Sequence, residues 1–124
     1  MRLLQVSLLA LIAGALACGD PVAVTQEQFT IQATGSEIVL SNAATQPTFY
    51  LVFERETAAR INFATCVEGP QCLNVTAGSS VRVPYRQISG YVWGSKEAIV
   101  YWWRRVQTAT GPQADSLRGT VMEL

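Results

Sequence analysis

The chain has 124 residues, with nine Lys and Arg side chains, nine Asp and Glu side chains and no His. This length suits one domain, and the even charge provides no basic surface of the kind that binds nucleic acid. The lack of His excludes His-based metal sites and the common Ser-His-Asp and Cys-His catalytic arrangements.

The first residues follow the order of a secretory signal peptide. Arg2 supplies a positive charge, an almost unbroken apolar run covers 3–13, and small residues lead up to Cys18. The apolar run is shorter than the roughly 20 residues that a transmembrane helix needs. We therefore expect a cleaved signal peptide over 1–17 and an exported protein.

The end of this leader resembles the lipobox of bacterial lipoproteins. The pattern of that family is roughly Leu-Ala-Gly/Ala-Cys, and this chain reads Ala15-Leu16-Ala17-Cys18. The resemblance implies that Cys18 is lipidated, becomes the mature N-terminus and anchors the protein in the cell envelope. Because Asp20 comes one residue after the position where Asp favours the inner membrane, the outer membrane is the expected location. A plain signal peptide that leaves Cys18 as a free thiol is the alternative.

The cysteine count agrees with lipidation. The chain has three Cys residues, Cys18, Cys66 and Cys72, and an odd number in an exported protein needs an explanation. Lipidation of Cys18 leaves the other two as a pair. A hairpin-like loop around Gly69-Pro70 would bring their Cα atoms within the roughly 4.4–6.8 Å that a disulfide requires. A metal site would need two further ligands, so we predict a disulfide.

Alternating apolar and polar residues predict strands along most of the chain after a short polar tether over 18–28. An edge strand beginning at 22–25 is the alternative for the end of this tether. The predicted strands cover 29–34, 37–41, 48–55, 59–65, 80–85, 96–106 and 117–124. We expect Ile61, Phe63, Leu73 and Val75 to point inward, the strand with Pro84 to be an edge, and 108–115 to be a loop.

This pattern predicts an all-β fold, an antiparallel β-sandwich of about seven strands over 29–124. It resembles an immunoglobulin-like or fibronectin-III-like domain, although the two Cys residues are six apart instead of far apart across the sheets. A small β-barrel is the alternative fold.

Two carboxylates near the end of a predicted strand, Glu54 and Glu56, are the main candidates for catalysis. Paired carboxylates can serve glycoside hydrolysis, but such a site also needs a lined cleft. With Arg55 and Arg60 beside them, the pattern favours a solvated charged patch. We therefore predict no catalytic residue, no metal site and no cofactor.

An aromatic group in the last third of the chain is the most unusual feature. Strand alternation over 96–106 places Trp102 on one face, which we predict to be buried. Trp103 and Tyr101 share the other face, which we predict to be exposed beside Arg105. The proposed platform for a sugar or a partner protein consists of Trp103, Tyr101, Arg105, Trp93 and Tyr91. The alternative is that these aromatic residues form a core covered by arginine.

Together these patterns predict a membrane-anchored lipoprotein of the cell envelope that carries a non-enzymatic interaction or structural module. A carbohydrate-binding module is the alternative function. The expected partners are the membrane, through the lipid on Cys18, and an envelope protein or polysaccharide.

Overall fold

The computed structural model describes residues 23–124, and in this range nearly all regular structure is β-strand. The predicted signal peptide, the predicted lipidation site Cys18 and the start of the predicted tether lie outside these residues. The strands are β1 (Ala23–Gln26), β2 (Phe29–Ala33), β3 (Glu37–Asn42), β4 (Thr48–Glu54), β5 (Asn74–Val75), β6 (Ser80–Pro84), β7 (Glu97–Trp103), β8 (Arg105–Thr108), β9 (Gly111–Ala114) and β10 (Arg118–Glu123). A short helix, α1 (Arg55–Ala58), follows β4, and a 3₁₀ turn (Tyr85–Gln87) follows β6.

Two antiparallel sheets pack face to face. The first sheet has the order β1-β2-β3-β6 and the second has the order β10-β7-β4-β5, while β8 and β9 form a separate hairpin. This arrangement confirms the predicted all-β antiparallel sandwich. The chain changes sheets between β3 and β4, between β5 and β6, and between β6 and β7. The relation to the immunoglobulin-like class stays a prediction.

Alternate residues of both sheets form the core. Because successive side chains of a strand point to opposite faces, every second residue of each inner strand is buried. Trp102 is the largest of these residues, is 1% exposed and lies with its ring centroid 4.9 Å from that of Phe29 in the opposite sheet. The buried core residues are Phe29, Ile31, Ala33, Ile38, Leu40, Tyr50, Val52, Val75, Tyr85, Ile88, Ala98, Val100, Trp102 and Met122.

The strand register defines two ends of the sandwich. At one end β1 begins, β4 and β6 finish and β7 begins, and we call this the entry end. Ala23 there is level with Gln32 and, through the neighbouring strands, with Arg82. At the opposite end lie the β1–β2 turn, the last residue of β7 and the first residue of β10.

An arginine cluster closes the opposite end. Glu27 and Gln28, in the turn between β1 and β2, have positive φ angles of 50° and 66°, a conformation that favours Gly or Asn. Arg118 donates to the Glu27 carboxylate at 2.7 Å, and this bond holds the pKa of Glu27 below its usual value. Arg104 donates to the Glu27 carbonyl, also at 2.7 Å. Both guanidinium groups lie over the Trp102 ring, so the strained turn is tied to the second sheet.

A second apolar layer lies outside the second sheet. Trp103 is 1% exposed there and donates from Nε1 to the carbonyl of Cys66 at 2.9 Å. The loop over 59–73 crosses this face, places Phe63 against Trp103, and is closed by the Cys66–Cys72 disulfide, whose Cα atoms are 5.5 Å apart. The predicted disulfide is therefore present, whereas the prediction that Trp103 is exposed is wrong, because this loop covers it.

The predicted strand over 59–65 is also wrong. This segment follows α1 as a loop that pairs with no strand, and its alternating apolar residues differ in burial. Phe63 packs in the second apolar layer, while Ile61 is exposed. Leu73 is exposed and Val75 is fully buried, so only the second of these two residues points inward as predicted.

The long strand predicted over 96–106 is interrupted at Arg104. The backbone N–H of this residue donates to the Asp115 carboxylate at 2.7 Å instead of continuing the ladder with β10. Beyond that point β8 pairs with β9, which lies within the predicted loop over 108–115. The β8–β9 hairpin therefore extends from the opposite end of the sandwich.

The remaining predicted strands agree with the structure, including β6 with Pro84, which lies at an edge of its sheet. Part of the predicted tether forms β1, which pairs with β2 along its whole length. The alternative of an edge strand near 22–25 thus describes Ala23–Gln26 better than a tether does.

We predict that Trp102→Ala and Trp103→Ala will each lower the free energy of unfolding by about 3–5 kcal/mol, the usual range for a buried Trp. Trp93→Ala is the matched control, because Trp93 is 95% exposed and its loss should cost about 0.5 kcal/mol or less. Equilibrium unfolding in urea measures all three values. A Trp103→Ala variant as stable as the control would contradict the second apolar layer.

Candidate functional site

A groove with a volume of about 830 Å³ lies at the entry end. The end of β4 and helix α1 form one wall, and the loop over 90–96 that leads into β7 forms the other. We call it the α1 groove. It is lined by Glu54, Arg55, Glu56, Thr57, Ala59, Arg60, Gly90, Val92, Trp93, Gly94, Ser95, Lys96 and Glu97.

Helix α1 begins directly after Glu54 because this side chain caps it. One carboxylate oxygen accepts from the backbone N–H of Glu56 and the other from that of Thr57, both at 2.9 Å. These two backbone hydrogen bonds hold the pKa of Glu54 below its ordinary value of 4.5. The Thr57 hydroxyl also donates to Glu54, at 3.0 Å. Both oxygens of the Glu54 carboxylate are therefore engaged in capping the helix.

The second wall packs closely against α1 at Gly90. A Cβ atom at this position would lie 1.9 Å from the Thr57 hydroxyl oxygen, and the φ angle of Gly90 is +84°. Both the space and the backbone conformation therefore require glycine. This contact fixes the position of the following residues relative to the helix.

A tight turn over 92–95 presents Trp93 to solvent. The N–H of Ser95 donates to the carbonyl of Val92 at 2.9 Å, and the N–H of Val92 donates to the Ser95 hydroxyl at 3.1 Å. Gly94 has a φ angle of +93°, as the third residue of a type II turn requires. Trp93 is 95% exposed and Val92 is 67% exposed, so the tip of this turn is apolar.

Opposite charges alternate along the groove. Arg55 donates to Glu97 at 3.1 Å, and Arg60 lies 3.8 Å from Glu56 on the helix surface. Lys96, directly before β7, is exposed. This pattern agrees with the predicted solvated charged patch, and the groove has no strongly positive or negative side.

The structure does not bring the predicted aromatic platform together. Trp103 is buried, and Tyr101 is half-buried, with its ring carbons about 3.2 Å from where a Cβ of Gly119 would lie. Tyr91 packs against Tyr85 with a centroid distance of 6.0 Å. Of the five predicted binding residues, Trp93 and Arg105 are exposed, and they lie near opposite ends of the sandwich.

Neither a metal-binding group of side chains nor a membrane-spanning helix is found among the described residues. Between residues 23 and 124, no three or more His, Cys, Asp or Glu side chains are grouped so that they could hold a metal ion. No helix in that range has the length and apolar character needed to cross a membrane. No protein-family model, curated protein or solved structure matches the chain.

Sequence reasoning found Trp93 but missed the groove beside it. Helix α1 is only four residues long, which is too short for a helical period to be visible. The sequence indicated the carboxylate pair, yet the capping role of Glu54 depends on the chain turning at Arg55. Gly90 and Gly94 are the local signals of the second wall, because both are needed for turns.

We predict that stability will fall as the pH falls below 4.5, partly through Glu54. Its folded-state pKa is depressed, so its contribution is fully present above the unfolded value and is lost as pH falls through the folded value. In Glu54→Gln this part of the loss of stability at low pH should disappear, and the variant should be less stable than the unmodified protein at neutral pH. Unfolding free energies measured from pH 7 down to about 3 test this.

The control for this prediction is Glu56→Gln. It removes an exposed charge of the same groove but no capping acceptor, so its neutral-pH stability should stay within about 0.5 kcal/mol of the unmodified protein. Equal stability of Glu54→Gln and Glu56→Gln at neutral pH would show that the cap is unimportant.

Proposed function

We propose that the protein is an exported lipoprotein of the cell envelope, attached through a lipid on Cys18, with a β-sandwich that serves as a non-enzymatic interaction or structural module. The signal peptide over 1–17 would be removed on export. The lipid would hold the domain at a membrane, and the outer membrane is the favoured one.

The Cys66–Cys72 pairing is the observation that carries this proposal. Disulfides form and persist in oxidising compartments, so the pair supports export. It also accounts for two of the three cysteines and leaves Cys18, at the end of the lipobox-like sequence, for lipidation. The bond lies in the loop that covers Trp103, so its formation in an oxidising compartment would complete the second apolar layer.

Two features support a non-enzymatic module of the immunoglobulin-like class. The strand orders β1-β2-β3-β6 and β10-β7-β4-β5, with three crossings between sheets, resemble the connectivity of that class. In the α1 groove the carboxylate of Glu54 caps a helix, and the other two acidic side chains face arginines.

Carbohydrate binding remains the alternative, and Trp93 is the observation that favours it. An exposed aromatic ring beside a groove with charged hydrogen-bonding groups is suited to stacking on a sugar. If this alternative is correct, envelope polysaccharide should bind the protein and Trp93→Ala should abolish that binding. Arg105→Ala, which alters an exposed residue near the other end, should have no effect.

We predict that the protein extracted from its own membrane begins at Cys18 and carries acyl chains there. Intact-mass analysis should show the mass of a diacylglyceryl group and an amide-linked acyl chain, and non-reducing peptide mapping should link Cys66 to Cys72. Cys18→Ser should yield an unacylated form that does not stay with the membrane.

Two results would contradict the proposal. One is a chain cleaved after Ala17 with a free thiol at Cys18, and the other is a pair of free thiols at Cys66 and Cys72 in freshly extracted protein. The first would indicate an ordinary exported protein, and the second would remove the structural support for export.

A further inference from the structure

The tip of the turn over 92–95 is the most exposed apolar feature of the described residues. The chain has three Trp residues, and two of them, Trp102 and Trp103, are 1% exposed, whereas Trp93 is 95% exposed. Val92 beside it is 67% exposed. Packing of Gly90 against α1 and the hydrogen bonds of the turn hold both side chains outward, so their exposure is built into the backbone.

This tip lies at the entry end, where the chain arrives from Cys18. Ala23 begins β1 there, and Cys18 is five Cα–Cα steps earlier in the sequence. A chain of that length spans at most about 18 Å even when fully extended. The opposite end of the sandwich is farther from Cys18 than the entry end is, by about the length of β7, which is roughly 20 Å for seven residues. A lipid on Cys18 would therefore keep the entry end close to the bilayer.

The charges at the entry end are balanced, which decides whether a contact with a bilayer would be electrostatic or apolar. The basic side chains there are Arg55, Arg60, Arg82, Arg86 and Lys96, and the acidic ones are Glu37, Glu54, Glu56, Glu97 and Glu123. Three of these basic groups already face an acidic partner. Attraction to anionic lipid thus contributes little, and any contact depends on the apolar tip.

We propose that the entry end rests on the bilayer, with Val92 and Trp93 inserted at the level of the lipid headgroups. Trp is favoured at that level because its ring is apolar and its N–H remains hydrogen-bonded. The inference rests on the proposed lipidation of Cys18, which supplies the attachment, while the tip orients the domain. In the anchored protein Trp93 is then covered by lipid and is not a sugar platform.

Tryptophan fluorescence of the full lipidated protein in phosphatidylcholine vesicles tests this proposal. Because Trp102 and Trp103 are buried, the difference in emission between the unmodified protein and Trp93→Phe isolates the signal of Trp93. We expect this signal to be quenched by lipids brominated on the acyl-chain carbons nearest the headgroup and shielded from iodide in the water. Replacing part of the phosphatidylcholine with anionic phosphatidylglycerol should not change the result.

The outcomes separate this inference from the proposed function. If intact mass shows acylated Cys18 but iodide still quenches Trp93 and brominated lipid does not, the orientation is wrong while the anchor stands. If polysaccharide, and not lipid, shields Trp93 in that acylated protein, the sugar platform replaces the membrane contact. If Cys18 carries no acyl chain, both the anchor and the orientation are wrong.

Discussion

The packing of Trp102 against two arginines and Phe29 is the interaction on which the rest of the structure depends. The guanidinium carbons of Arg118 and Arg104 lie 4.5 Å and 5.2 Å from the centre of its ring, and Phe29 contacts the ring from the opposite sheet. A cation over an aromatic ring contributes from about 0.5 kcal/mol when exposed to about 2 kcal/mol when desolvated. Because Arg118 also binds Glu27 and Asp115, one side chain links β10, the β1–β2 turn and the segment after β9.

This cluster determines where the chain enters the domain. With the β1–β2 turn fixed at one end, antiparallel pairing with β2 places Ala23 at the other end. The Trp93 turn lies at that same end because β6 finishes and β7 begins there. The arginine cluster and the exposed tip are thus at opposite ends, and the strand register places the tip at the end where the chain enters the domain.

Strand β7 is hydrophobic on both faces, and the loop over 59–73 explains how the protein accommodates this. One face contributes Trp102 to the core, and the other would expose Tyr101 and Trp103 without a cover. Phe63 and the Cys66–Cys72 disulfide provide that cover. The sandwich therefore has a core between its sheets and a thinner apolar layer outside one of them, and its most exposed aromatic ring, that of Trp93, lies in a loop.

The sequence predicted the sandwich because alternation, β-branched residues and turn residues agree along most strands. It could not predict features that depend on distant contacts. Ile61 and Phe63 alternate as strand residues do, yet no neighbouring strand pairs with them. The break at Arg104 depends on a hydrogen bond to Asp115, eleven residues later.

The burial of Trp103 and the exposure of Trp93 both depend on segments outside the strands. A loop covers the ring of Trp103, and a turn projects the ring of Trp93 into solvent. Periodicity describes a strand and its two faces but not what lies over them. For the candidate site, residue type indicated Trp93 and Glu54, while their positions in one groove needed the three-dimensional structure.

Hydrogen exchange measured by mass spectrometry on the full protein shows whether the entry end faces a membrane. Exchange would be compared between lipidated protein in vesicles and the Cys18→Ser protein in solution. We expect slower exchange in vesicles over 90–96 and no change over 108–111, at the tip of the β8–β9 hairpin. Slower exchange over 108–111, with 90–96 unchanged, would contradict the proposed orientation.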